Sequence, residues 1–591
     1  MPPVGRNTKK EKPKDTKGTL KRLLTYTERF RATLVLVTLL CLCGNALALF
    51  GPSLAGRAIN AAAAGKGKVD FALVRHYALQ MLFCYLTSAF LAYAVGLLMM
   101  RTARLLGKEM RRDIFDKLMK LPVVYFDQNQ AGDIISRVSY DVDVICTSFS
   151  TDLVQILAST VTVVGSFVMM LVICPQLIIV TLVAIPAAIA FTRYMGRRTR
   201  PLFSHRSAKY GEMNGFVEEM FSGQKSILAY AYTDGVSEDY DRINEEAADA
   251  FYKAEYYGMS IGPSVGAINN ISLSLTGMLG SLLFLSGTVT LGQISSYILY
   301  CRKFSGPINE IANLFNEIIS ALAAAERVFR LLDEEQEKAD RPDAAVLTDV
   351  RGDVVCSHVN FGYEPGRTIL HDLTLHAEPG KLVAIVGPTG AGKTTIINLL
   401  MRFYDVDGGR IAVDGTDIRD LTRKSVRGAY AMVLQDTWVF RGTICENIAS
   451  GREDATLEEV VAAAKAARIH SYIMKLPNGY NTIVEEDGGN ISKGQKQLLT
   501  IARAFLLDAR MLILDEATSN VDTTTEKQIQ KAMRDLMRGR TCFVIAHRLS
   551  TIQHADLILV LDHGDIVEQG THESLMQAGG LYHTIYSSQF G

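Results

Sequence analysis

The sequence has almost no paired cysteine chemistry and no net charge. Its nine cysteines are scattered, and no CxxC pair or His/Cys metal spacing links them. This argues for reduced packing residues rather than a disulfide framework or a structural zinc site. Lys plus Arg equals Asp plus Glu, 62 against 62, so the total charge offers nothing to a nucleic-acid partner, and none is expected. The most telling scarcity is local. No Asp, Glu, Lys or Arg occurs from Ala32 to Gly56, from His76 to Met100, from Leu153 to Thr192, or from Tyr256 to Cys301.

A membrane-spanning helix needs roughly 20 apolar residues. The first two runs therefore predict one span each. The longer two predict two spans each, turning near Cys174-Pro175-Gln176 and near Gly287-Thr288. Six spans place both termini on one side, and the basic N-terminus, with ten Lys/Arg against three Asp/Glu in its first 31 residues, marks that side as cytoplasmic. Thr19–Arg31 reads as an amphipathic helix on the inner leaflet. The connections Arg101–Asp152 and Arg193–Glu255 are then internal, and their helix formers predict helices that continue well beyond the bilayer. With formal charge excluded from the spans, a fixed mid-membrane ion pair for a charged cargo is not expected. Neutral polar, aromatic and Met positions such as Phe83, Tyr85, Tyr93, Met99, Met169, Asn269 and Tyr297 suit lipophilic or amphipathic compounds.

After Leu332 the pattern changes. The apolar run Leu382–Val386 leads into Gly387-Pro-Thr-Gly-Ala-Gly392-Lys393-Thr394 and then into an apolar helix. That is the G-x4-G-K-[ST] phosphate loop in its proper strand-to-helix setting. Its backbone N–H groups, with Thr389, Gly390 and Thr395 alongside Gly387 and Gly392, cradle the phosphates at a helix N-terminus. Lys393 is placed to bridge the β- and γ-phosphates and Thr394 to bind Mg²⁺. A second apolar strand, Met511–Leu514, ends in Asp515-Glu516. Asp515 suits the Mg²⁺ shell, and Glu516 suits polarising the attacking water.

Further motifs stand in order around these. Asn490-Ile-Ser-Lys-Gly-Gln495, followed by Gln497-Leu-Leu and Ala502-Arg503-Ala504, precedes Met511. Phe361-Gly-Tyr363, Val433-Leu-Gln435-Asp, Phe440-Arg-Gly-Thr-Ile, Glu446-Asn447-Ile448, Ser519-Asn-Val-Asp522 and Ile545-Ala-His547-Arg complete the set. Together they resemble the ATP-binding domain of ABC transporters. Leu121-Pro through Asp127, Gly132-Asp133, Ser136-Arg137 and Ala325-Glu326-Arg327 resemble the membrane half of ABC exporters of the multidrug type. The resemblance implies that Tyr363 stacks on adenine, that Gln435 contacts Mg²⁺ and the water, and that His547 contacts the γ-phosphate. Ser492, Gly494 and Gln495 would serve the nucleotide from the signature, and Asp522 from the D-loop.

The fold expected is thus an α-helical membrane domain of six long helices plus an α/β P-loop domain. The division expected is a disordered basic tail to residue 16, a membrane domain over 17–332 with its N-terminal elbow helix, a linker over 333–349 and an ATP-binding domain over 350–591. Short coupling helices are expected within 124–140 and 212–226. The resemblance implies ATP hydrolysis driving export through the plasma membrane, with ATP clamped between two chains. Lys493 stands where the family has glycine. That departure, with the N-terminal Lys12-Pro-Lys-Asp15, favours a second, different half-transporter as partner, a homodimer being the alternative. A lipid or glycolipid flippase or a peptide exporter is the competing cargo reading.

Overall fold

The computed structural model describes residues 15–63, 69–364, 366–434, 437–452, 454–485, 489–515, 522–546 and 552–590, without the side chains of 308, 309, 311–313, 316, 589 and 590. The chain forms two compact units. One comprises residues up to Lys120 together with Asn129–Glu335. The other comprises Leu121–Gln128 together with Gln336 onward.

The first unit is wholly helical. A short helix, Thr16–Thr27, is capped by Asp15, whose carboxylate accepts from the Gly18 N–H at 2.9 Å. Six long helices follow: Arg31–Ala62, Phe71–Leu118, an interrupted helix over Ala131–Ile173, Ile178–Ser222, Thr233–Leu285 and Leu291–Asp333. The chain reverses at a short 3₁₀ turn over Pro175–Leu177, and again at Gly287, whose φ of +77° suits a residue without Cβ. Phe71–Leu118 alone has 48 residues, roughly 72 Å at the α-helical rise. Large apolar side chains such as Phe83, Phe90, Val172, Val183 and Leu285 are exposed on these helices. Water would penalise that surface; hydrocarbon does not, because a helix satisfies its own backbone.

Among the described residues five helical stretches are long and apolar enough to cross a membrane. The sixth helix is not one of them, since Arg302 and Lys303 interrupt its apolar run. The sixth helix thus carries formal charge just beyond the uncharged run that ends at Cys301. Leu291–Asp333 continues as helix straight past Cys301 and runs antiparallel to Arg31–Ala62. Asn60 joins Gly292 and Thr290 at one end, and the seam then carries Lys303 to Ala48. Counting uncharged residues ends the run at the first charge; the helix continues past it and packs Lys303 level with Ala48 of the first long helix.

Two π-helical segments, Arg137–Asp141 and Ser148–Asp152, interrupt the third helix. Such insertions rotate the following side chains relative to a regular helix. Here Asp141, nearly fully buried, receives a bidentate pair from Arg327 of the sixth helix at 2.9 and 2.5 Å. The N-terminal helix is tied to the same region. Tyr26 stacks on Phe329, Arg22 lies 4.6 Å over that ring, and Tyr26 donates to Asp113 at 3.0 Å.

The second unit is α/β. A six-stranded sheet places Asp565–Gly570, Leu557–Asp562, Leu382–Val386, Thr541–Ile545, Met511–Asp515 and Tyr430–Val433 side by side in that order. All neighbours are parallel except the edge pair Leu557–Asp562 with Asp565–Gly570. The inner strands read as continuous apolar runs because helices cover both faces. A four-stranded antiparallel sheet, built on Val354–Phe361 between Leu370–Ala377 and Gly408–Val413, completes the unit. The six-residue helix Val123–Gln128 belongs here, although its flanking sequence lies in the helical unit. The other expected coupling segment falls on the end of Ile178–Ser222 and on the short helix Gln224–Ala229.

Candidate functional site

Parallel strands in an open sheet release their loops from their carboxyl ends, where ligands bind. Four adjacent strands do so here. Leu382–Val386 runs into Gly387. Tyr430–Val433 leads toward Gln435. Met511–Asp515 ends on the half-buried Asp515 and precedes Glu516. Thr541–Ile545 precedes His547 by two residues. The register aligns Ile545 with both Ile385 and Asp515, so these exits share one edge. Gln435, Glu516 and His547 themselves lie outside the described residues, as does the start of the Ser519–Asp522 segment.

The phosphate loop has the geometry its glycines permit. A Cβ on Gly387 would lie 2.2 Å from the Leu561 carbonyl oxygen, so no other residue fits without moving that strand. Gly392 caps the helix Lys393–Leu400 with φ +100°, a left-handed conformation. Gly390 also has positive φ. Lys393 Nζ donates to the carbonyls of Gly387 and Pro388 at 2.7 and 2.9 Å, holding its ammonium over the loop. Burial pushes that ammonium below its ordinary range, and the Asp515 carboxylate partly restores it. The first-turn backbone N–H groups and the ammonium make an anion cradle. Thr394, in the helix's first turn, and Asp515, at the neighbouring strand end, supply a hydroxyl and a carboxylate. These are hard oxygen donors of the kind that fit Mg²⁺.

Tyr363 is more firmly built in than its sequence setting suggested. Its hydroxyl accepts from Asn398 Nδ2 at 3.0 Å and donates to Thr395 Oγ1 at 3.3 Å, fastening the ring to the helix that follows the phosphate loop. Phe361 and Tyr404 meet it edge-on at 5.0 and 4.9 Å. One third of its surface remains exposed. Tyr404 was not singled out by sequence. It donates to Asp127 Oδ2 of Val123–Gln128 at 2.5 Å, and its hydroxyl's pKa is raised by burial and by that carboxylate.

The signature segment opens the helix Lys493–Leu507 with a capping box. Gln495 N donates to Ser492 Oγ at 3.3 Å, and Ser492 N donates to Gln495 Oε1 at 2.8 Å. Ser492 and Lys493 are exposed and Gly494 is buried. Ser492 therefore stands exposed at a positive helix end, its hydroxyl accepting the first-turn N–H of Gln495. Asp522 caps the helix Thr523–Met537, accepting from Thr525 N at 2.9 Å, and that bond lowers its carboxyl pKa. Arg503 does what the sequence reading left unassigned. It donates to the Asn447 carbonyl at 2.5 Å, to Asn447 Oδ1 at 2.8 Å and to the Trp438 carbonyl at 2.7 Å. Asn447 in turn bonds both N and O of Phe440. The signature helix is thereby fixed to the segment that follows Gln435; the one sequence signal was the recurrence of Asn447 and Arg503 inside motif stretches.

A helical unit of long apolar helices and an α/β unit with a phosphate loop together define an ATP-driven membrane transporter. The chain belongs to the ABC transporter family: residues 34–308 match the ABC transporter transmembrane region and residues 370–519 the ABC transporter ATP-binding model. It is 40% identical to the ABC transporter ATP-binding protein YfiC of Bacillus subtilis (strain 168), over 98% of this chain and 96% of that one. It is 44% identical to a fatty acid ABC transporter ATP-binding/permease protein of Mycobacterium bovis, over 88% of this chain and 82% of that one. Its fold matches the structure of a bacterial Atm1-family ABC exporter with ATP bound, with a TM-score of 0.74 at 30% identity, covering 95% of this chain and 98% of that one. The chain is an ABC exporter half-transporter, an ATPase coupled to transport that works as a dimer in the membrane.

Proposed function

We propose that this half-transporter exports hydrophobic or amphipathic compounds through the plasma membrane by alternating access, with both termini in the cytoplasm. The observation that carries the reading is the shared edge of four parallel strands, from which the phosphate loop, Asp515 and the chain leading to Gln435, Glu516 and His547 all emerge. In this reading Lys393 and the loop N–H groups hold the ATP phosphates and Tyr363 stacks on the base. Glu516 polarises the attacking water, while His547 and Gln435 contact the γ-phosphate region. Mg²⁺ held by Thr394, Asp515 and Gln435 would offset the charge on the β- and γ-phosphates. Ser492, Gly494 and Gln495 of one chain, with Asp522, complete the site on the other, so ATP draws two nucleotide-binding units together and hydrolysis releases them.

The cargo reading is supported by the exposed aromatic and aliphatic surface of the spans and by the fatty acid relative. A heterodimer is favoured by Lys493 at the signature. Proteoliposomes containing the purified transporter should take up a fluorescent long-chain amphipath in the presence of ATP and not of a non-hydrolysable analogue. Absence of ATP-dependent movement of any hydrophobic solute, with or without a companion subunit, overturns the export reading. A stable, fully active transporter assembled from this chain alone overturns the heterodimer.

A further inference from the structure

A proline inside a helix leaves the carbonyl four residues earlier without its donor. Pro52 lies inside Arg31–Ala62, and the carbonyl it orphans is that of Ala48. Three side chains of the sixth helix meet this stretch. Ser296 Oγ donates to the Pro52 carbonyl at 2.8 Å, Tyr300 to the Leu49 carbonyl at 2.5 Å, and Lys303 Nζ to the Ala48 carbonyl at 2.7 Å. Two of these bonds use neutral hydroxyls. The third uses a full positive charge for a task that a neutral donor performs next to it.

Its depth makes that choice costly. The uncharged run of the first span is centred on Gly44, and Ala48 is roughly 6 Å from that centre along the helix axis. An ammonium has three donors. One is used on Ala48, and the Tyr85 ring, 5.6 Å away, offers only its π-face. Among the described residues no carboxylate pairs with Lys303. Glu310, two turns further along the helix, accepts from Gln155 at 3.1 Å. An ionisable side chain at such a depth is costly and rare and marks a functional path, and the two donors that Ala48 leaves over are suited to an anion.

We propose that Lys303 anchors the negatively charged head of an amphipathic cargo, a carboxylate or phosphate carried on a long acyl or alkyl chain. The apolar spans take the chain and the ammonium takes the head, with the Ala48 carbonyl that Pro52 leaves without a donor holding the lysine at its post. This rests on the lipophilic-cargo reading above and narrows it from hydrophobic compounds in general to anionic ones.

The test uses the purified dimeric transporter in phosphatidylcholine nanodiscs, with stimulation of ATP hydrolysis titrated by palmitate, hexadecyl phosphate, the uncharged hexadecanol and the chain-less butyrate. Lys303→Gln keeps a donor for the Ala48 carbonyl and removes the charge. Lys303→Arg keeps both. In the wild type the two anionic amphipaths should half-saturate at about tenfold lower concentration than hexadecanol, the size of one charge-assisted contact. Lys303→Gln should abolish that preference while leaving the hexadecanol titration in place, and Lys303→Arg should retain the preference. A Lys303→Gln transporter that still prefers palmitate overturns the proposal, as does a wild type that treats palmitate and hexadecanol alike or responds equally to butyrate; in these cases the lipophilic-cargo reading stands. A wild type that responds to none of the long-chain probes overturns both.

Discussion

The hydroxyl of Tyr404 donates to the carboxylate of Asp127 at 2.5 Å while its ring packs edge-on against Tyr363 at 4.9 Å. One aromatic side chain thus touches both the residue proposed to stack on adenine and the short helix Val123–Gln128. Movement of Tyr363 on binding a base has a direct path to that helix, through contacts of ordinary strength. Tyr404→Phe keeps the ring and deletes the bond. It should leave ATP affinity within about twofold, because the stacking partner is untouched, and should lower the cargo-stimulated part of ATP hydrolysis by about five- to tenfold, as expected for one charge-assisted bond. The ratio of stimulated to unstimulated turnover measures it. Equal ratios in wild type and variant would leave the contact structural only.

Lys393 yields a pH prediction. Burial lowers its ammonium from 10.5, the Asp515 carboxylate opposing. The proton is therefore lost at a lower pH than from a free lysine, and ATP affinity should decline as pH rises toward the ordinary lysine range. For folding the sign is the opposite: the unfolded chain keeps the proton longer, so this group alone favours the fold as pH rises through its native pKa and less so as pH falls. Lys393→Arg stays charged throughout and should show a flat affinity profile over that range, though weaker in absolute terms because the fork replaces a point charge. Parallel wild-type and variant curves would exclude the lysine as the titrating group.

Glu516→Gln preserves size and hydrogen bonding but not the ability to polarise water. In a complex with no other competent site, hydrolysis should fall by about a hundredfold or more, with ATP binding retained, as measured by labelled ATP staying on the complex. Undiminished turnover would remove Glu516 from the proposed role.

Arg503→Ala deletes three donors that face Asn447 and Trp438. Their acceptors lie in a half-buried setting, so the cost should be roughly 2–3 kcal/mol. Burial already holds the guanidinium below its usual pKa, which marks the site as poorly solvated. Calorimetry of the full chain should show the α/β unit's transition moved down by several degrees. Arg503→Lys should recover only part of the loss, since an ammonium cannot reproduce the planar fork. An unshifted transition would mean water replaces the guanidinium.

Much of the site was legible because phosphate chemistry is local. Gly387 to Thr394 must follow a strand and open a helix, and both conditions can be read from a few adjacent residues. Asp515 and Ser492 are likewise given by a strand end and a helix start. Tyr404 and Arg503 were not legible in this way. Their partners, Asp127 and Asn447, lie 277 and 56 residues away in sequence, and no periodicity connects them. Lys303 was not singled out for a related reason: a count of uncharged residues stops at the first charge, whereas the Ala48 carbonyl that receives the lysine belongs to another helix.

The amino-acid order alone thus determined the two kinds of unit, since burying apolar runs in lipid and cradling phosphate at a helix start are properties of contiguous residues. The tertiary fold alone decided which strand ends share an edge, which arginine secures the signature helix, and that one lysine meets the Ala48 carbonyl of another helix. Those outcomes depend on packing between segments far apart in the chain, where the energy of each contact exists only once both partners have been brought together.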